Sequence, residues 1–300
     1  MSGNSKARAR LRMACEIAAD RVLAARAEED GRAIHIYASR ALPPGVVSPG
    51  LAAANVADPA ALREAVASAL GAVAGRSRDV IAVLPDAAVR VALLDFDAFP
   101  EKHAEAAALV RHRLKKTLPF DVERAAVSFH AQRGAAGVRV VAAVAPQSIV
   151  EEYESAIRDT GYNPGVVLPS TLAALGAVEA ARPTMVVKVD ATTAAVAIVD
   201  GDELRLFRIV SNRSGGRVVG SQLAEEIYPS VVFFQDTYGA TLERVLVGGQ
   251  APLENVGPAL EAQTGVPVGE LVGARFLGGN LAGDAAHPST LAGVVGALVA

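Results

Sequence analysis

The 300-residue chain holds a single cysteine, Cys15, so no intramolecular disulfide, zinc ribbon or redox CxxC pair can form, and a reducing compartment, the cytosol, is the expectation. Aromatic residues make up only 4% of the chain, and the interleaving of aromatic with basic side chains that nucleic-acid surfaces use is missing. Neither sign of charge is in excess: 29 Lys and Arg against 32 Asp and Glu leave a net charge of −3, with no general attraction to polyanions. Long apolar runs are also lacking. The stretch 291–300 falls far short of the ~20 residues of a membrane-spanning helix, and the polar start 2–12 is not followed by the apolar core of a secretory signal. The five histidines, at 35, 103, 112, 130 and 287, show neither HExxH nor another paired metal spacing, and no GxSxG elbow exists. Glycines at 215–221 have the spacing of a phosphate loop, but no Lys precedes Ser221, which excludes a P-loop. Cys15 falls in an expected buried strand, where a thiol is inert.

What remains is a globular chain, 51% hydrophobic and 20% charged, long enough for ~2 domains. Residues 12–40 read as three short antiparallel strands broken at Ala18-Ala19-Asp20 and at Glu28-Glu29-Asp30-Gly31. Asp58-Pro59 caps a helix carrying Leu62, Val66, Ala69, Leu70 and Val73 on one face, and 79–84 is a buried strand. The order recurs: strands at 185–190, 194–200 and 203–209, a helix at 218–236, and a buried strand at 245–247. Repeats ~170 residues apart are too distant for a solenoid and indicate a duplicated domain. Residues 89–132 have no counterpart in the second copy and read as an inserted subdomain. The first copy then resumes with a strand at 138–145 and a helix at 147–160, and a helix at 171–181 bridges the halves.

A duplicated three-strand-plus-helix core with an insertion in its first half resembles the actin-like superfamily. More specifically, the run from Leu84-Pro85-Asp86 to Phe99-Pro100, the stop Leu118-Pro119-Phe120-Asp121, the segment 144–150, Asp159-Thr160-Gly161-Tyr162 and Val247-Gly248-Gly249 resemble, in this order, the PilM family of type IV pilus assembly over residues 12–300. The resemblance implies an α/β, two-lobed, duplicated ribonuclease H-like fold. Its first lobe is 12–181, with the insert at about 89–132, its second is 185–283, and a helix at 288–300 returns to the lobe junction. It also implies a non-enzymatic cytoplasmic scaffold, peripheral at the inner membrane, that docks the N-terminal segment of a PilN-like single-span membrane protein beside the insert. Leu118, Pro119 and Phe120 are the residues placed at that groove, self-association is allowed, and no nucleic acid is expected.

Actin-like proteins hold a nucleotide with Mg²⁺ between two hairpin turns, usually Asp followed by Gly. Here the turns read Glu16-Ile17-Ala18-Ala19-Asp20 and Asp190-Ala191-Thr192-Thr193, and an Ala is strained wherever φ must be positive. The residues left for ATP with Mg²⁺ are Glu16, Asp190, Thr192 and Thr193, Gly215 and Gly216 at a helix start, and Gly248 and Gly249 for the adenosine. An ATP-binding or weakly hydrolysing assembly protein is the alternative function. Arg111, Arg113, Lys115 and Lys116 at the end of one helix, with Lys6, Arg8, Arg10 and Arg12 at the start of the chain, form basic patches. Each suits a helix dipole or solvent, or an anionic lipid surface at ~1 kcal/mol per residue.

Overall fold

The computed structural model describes residues 11–134, 137–179, 181–211, 219–282 and 287–300. The first half opens with β1 (Met13–Ile17), β2 (Arg21–Ala27), β3 (Ile34–Ala41), α1 (Pro59–Ala72) and β4 (Asp79–Leu84). It continues with β5 (Arg90–Phe96), α2 (His103–Leu114), β6 (Ala125–Gly134), β7 (Gly137–Pro146), α3 (Gln147–Arg158), β8 (Asn163–Pro169) and the short α4 (Ser170–Ala174). The second half contains β9 (Thr184–Val189), β10 (Thr193–Asp200), β11 (Glu203–Ser211), α5 (Gly220–Tyr238), β12 (Arg244–Gly249), α6 (Leu253–Thr264), β13 (Val268–Glu270), β14 (Leu277–Ala282) and α7 (Ala292–Val299).

Two sheets repeat one topology. The first runs β14-β3-β2-β1-β4-β8 and the second β11-β10-β9-β12-β13. In each, three antiparallel strands are followed by a parallel fourth and fifth, the order 3-2-1-4-5 of an actin-like lobe. The duplication read from the sequence is therefore real, and its strands lie in separate sheets. Local chemistry places the first helix as expected: the Asp58 carboxylate accepts from Ala60 N and Ala61 N at 3.1 and 3.0 Å, with Pro59 at the first helical position.

Three boundaries differ from the sequence reading. The strand 137–146 does not rejoin the first sheet; β7 is the centre of a separate three-stranded sheet, β5-β7-β6, so the insert runs to residue 146. Its alternating small and apolar residues serve an insert core around Val140, Ala142, Val144, Val110 and Leu114. The bridging helix is cut to α4 and one 3-10 turn, Leu175–Ala177. Finally, β14 crosses back from the second half and pairs parallel with β3, Leu277 opposite Ile34, so the second lobe ends before it.

Strand alternation sets up the junction. In β1, Met13, Cys15 and Ile17 enter the core beneath α1 and α3, whereas Ala14 faces the other lobe. In β9, Met185, Val187 and Val189 face α5, whereas Val186 faces the first lobe. One hydrophobic cluster joins Ala14 and Leu23 to Val186 and Ala197 through Leu291 and, on α7, Val294, Val295 and Leu298. The last helix therefore sits at the lobe junction. Gly176 and Gly296 allow it to cross the end of α4 at backbone contact.

Candidate functional site

The β1–β2 and β9–β10 turns meet across the junction. Each is closed by an equivalent bond, Ala18 N donating to Arg21 O at 2.9 Å and Asp190 N donating to Thr193 O at 2.8 Å. That pattern makes Ala18 the counterpart of Asp190, so the residue equivalent to Glu16, two places earlier, is Lys188. The pairing of Glu16 with Asp190 as matching turn acids is thereby corrected. By strand alternation Glu16 shares the face of Ala14 and Lys188 the face of Val186, and the two side chains point at each other.

They form a buried ion cluster. Lys188 is 1% exposed, and its Nζ lies 3.1 Å from Glu16 Oε1 and 2.8 Å from Asp190 Oδ1. Ser170 Oγ donates to the same Glu16 Oε1 at 2.5 Å, and Glu16 Oε2, with no hydrogen-bond partner among the described residues, lies where a Cβ on Gly293 of α7 would strike it. Further ties cross the junction: Gln250 Nε2 donates to Asp20 Oδ2 at 2.7 Å, and Arg21, itself paired with Asp20 at 3.1 Å, stands 4.0 Å from Asp190. Behind them Asp86 is buried, accepting from Thr171 N at 2.9 Å and Thr171 Oγ1 at 2.6 Å. Burial pulls the Lys188 pKa down, but Asp190, Glu16 and Asp86 outweigh it and hold the ammonium above the ordinary lysine value. Burial pushes Asp86 up to about 6 despite the opposing pull of Lys188. Burial, with a contribution from Glu16, pushes the Cys15 thiol up to about 12, so it is inert, as the sequence implied.

The expected nucleotide contacts fare differently from one another. No described residue other than glycine has positive φ, so Ala18 and Ala191 carry no positive-φ strain. Thr192 is exposed, and Thr193 begins β10. Gly248 and Gly249 are spoken for by the protein: a Cβ on Gly249 (φ +87°) would strike the Val189 carbonyl, and one on Gly248 would stand 3.0 Å from Leu271 and 3.1 Å from Ala292. These glycines let β12, β9 and α7 close on one another. Gly215 and Gly216 lie outside the described residues, as do Lys6, Arg8 and Arg10. A Mg²⁺ nucleotide, which the fold implies, does not fit this cleft, because both carboxylates that would face the metal already bind the ammonium. Sequence reasoning passed over Lys188 and Arg21; the available signal was a lone Lys inside the apolar strand Met185-Val186-Val187-Lys188-Val189.

The other candidates separate cleanly. Phe120 lines a cleft of about 590 Å³ between the insert and α3, with Asp121, Arg124, Pro146, Gln147, Ser148 and Glu151. Leu118 packs on the insert core, and Pro119 is exposed outside the cleft lining. Arg111 leaves the basic patch, since its Nη1 donates to Val122 O at 2.5 Å and its Nη2 to Ala125 O at 3.2 Å, anchoring the start of β6. Arg113 covers the Phe96 ring at 5.7 Å, and Lys115 and Lys116 remain exposed.

No family model matches the chain, and no curated protein matches it. Solved structures do. A chain of a PilM-PilN type IV pilus biogenesis complex is 21% identical, with 96% of each chain covered and a TM-score of 0.77. The ethanolamine utilization protein EutJ from Carboxydothermus hydrogenoformans is 11% identical, with 96% of this chain and 89% of that one covered and a TM-score of 0.55. The shared property is the actin-like fold.

Proposed function

We propose that the chain is a non-enzymatic, actin-like assembly protein of a type IV pilus or related secretion machine, docking a short cytoplasmic segment of a PilN-like membrane protein. The observation that carries this reading is the extent of the likeness to the chain of the PilM-PilN complex, which covers 96% of both and so takes in the insert as well as both lobes. The cleft at Phe120 supports it further. It combines an aromatic wall with Asp121, Glu151 and Arg124, a lining able to hold an extended segment by its apolar side chains and polar backbone. The non-enzymatic part of the proposal follows from the ion cluster at the lobe junction, which puts a lysine where catalysis would need a metal-bound phosphate. No helix among the described residues is long and apolar enough to cross a membrane, so the proposed inner-membrane location is peripheral, with Lys115 and Lys116 available to anionic headgroups.

The test is a titration with a synthetic copy of the PilN-like protein's cytoplasmic N-terminal segment. Micromolar binding is expected, because ordering a short segment offsets part of its contact energy. Phe120→Ala weakens it by about tenfold or more. Because Phe120 also packs on the insert core, Ser148→Arg, at an exposed position on the opposite wall, is the control that leaves the core alone. It blocks binding with the melting curve unchanged. Binding indifferent to both substitutions would remove the cleft from the proposal.

A further inference from the structure

We infer that the outward face of α5 is a docking surface for helix α2 of a second copy of the chain, a head-to-tail contact separate from the proposed docking of a membrane protein. Among the described residues, large apolar side chains stay substantially exposed at five positions, and three of these lie on α5: Tyr228 at 41%, Val232 at 37% and Phe233 at 51%. The inner face of the helix already has its partners. Leu223, Ile227, Val231 and Phe234 are buried in the core of the second lobe. Tyr228 with Val232, and the exposed Pro229 with Phe233, are i, i+4 pairs, so they form one continuous apolar patch outside that core. Clustered exposed aromatic residues of this kind are what protein interfaces bury at their centres.

Charge selects the occupant. Glu225, one turn before the patch, and Asp236, one turn after it, are exposed, and α5 carries no Lys, Arg or His. An anionic lipid surface repels such a helix, and a second α5 packed on it would bring like charges together. Helix α2 offers the complement. Its exposed side presents Ala104 and Ala108, too small to hinder the approach of aromatic rings, and then His112 and Lys115 at its basic end. The spacings agree. With the helices antiparallel and Val232 over Ala108 of the second copy, Tyr228 meets His112 and Glu225 meets Lys115, because the intervals 225–232 and 108–115 are both two helical turns, about 10 Å. Asp236 then lies opposite Ala104, beside Lys102, whose own pair with Glu105 is exposed and therefore weak. Because the two surfaces are different patches of one chain, the contact is heterologous and repeats from copy to copy. The copy at one end of such a run keeps Lys115 and Lys116 open to headgroups.

The experiment is sedimentation velocity of the full chain over a range of concentrations. The sedimentation coefficient of the unmodified protein is expected to rise with concentration, with a Kd of about 10–100 µM per contact, because one helix pair is a small interface. Phe233→Asp and Ala108→Glu, both at exposed positions, each raise that Kd about tenfold or more and leave the melting curve unchanged. Mixing these two variants restores one contact, between α2 of the first and α5 of the second, and yields a dimer that grows no further. Glu225→Lys and Lys115→Glu each weaken association, and the double variant recovers it. A monomer at every concentration would overturn the inference. So would association that survives Ala108→Glu, which assigns the patch to a second α5. Phosphatidylglycerol vesicles that bind the unmodified protein but not Phe233→Asp would assign the patch to the membrane and overturn it as well. Should Phe233→Asp not fold, the charge exchange decides alone, since a double variant no better than the single ones contradicts the contact. None of these substitutions touches the cleft at Phe120, so failure here and failure of peptide docking are separable.

Discussion

At the residue scale, the junction depends on charges taken out of water. Breaking a buried ion pair leaves an uncompensated charge and costs about 3–5 kcal/mol, so Glu16, Lys188 and Asp190 stand or fall together. Asp86 gives the cluster a pH signature. Its folded pKa of about 6 lies above the ordinary 3.8, so the folded protein holds this proton more tightly than the unfolded chain does. The stabilisation is fully present below the unfolded value and is lost as pH rises through about 6. Relative to Asp86→Asn, which does not titrate, the wild type should be more stable at pH 4 than at pH 7.5 by about 2 kcal/mol, measured by urea unfolding of both proteins at each pH. An unchanged difference would mean that Asp86 is better solvated than its burial implies. Glu16 and Asp190 were legible as candidate residues. The role of Lys188 was not, because hydrophobic periodicity assigns a strand without saying that one of its faces meets a second lobe, and only the two turn hydrogen bonds reveal that Lys188 matches Glu16.

At the scale of elements, the strands and helices with local signals were the readable ones: the three opening strands with their polar turns, the Asp58-Pro59 cap, and the duplicated order. The elements whose partners lie far along the chain were misplaced. Alternation in 137–146 specifies a strand equally well for either sheet, and nothing within 277–282 announces that it pairs with β3. Helix α7 is the element on which the lobes depend. Its Gly296 lies against the Ala173 carbonyl, so a methyl there meets fixed backbone. Gly296→Ala should therefore destabilise the protein by about 2 kcal/mol or more, since overpacking a closed contact outweighs the gain in helix propensity of about 1 kcal/mol. A shift of the urea midpoint to lower concentration with an unchanged slope is the expected observation. A neutral or stabilising effect would mean that α7 can move away from α4.

At the scale of the whole molecule, two lobes that an actin-like protein ordinarily closes on a nucleotide are here joined by their own side chains: Lys188 to Glu16, Gln250 to Asp20, and α7 to both cores. The lobes were visible in the repeated order of elements. Their mode of closure was not, because the ties join residues as far apart as Asp20 and Gln250. A protein closed in this way can present the cleft between the insert and α3 at all times, which suits an adaptor better than a cycling ATPase. The most direct measurement is calorimetric titration of the unmodified protein with Mg-ATP, with phosphate release followed in parallel. A nucleotide-independent adaptor gives at most weak heat that is the same with and without Mg²⁺, and no phosphate. Mg²⁺-dependent binding tighter than about 10 µM with steady phosphate release would contradict it.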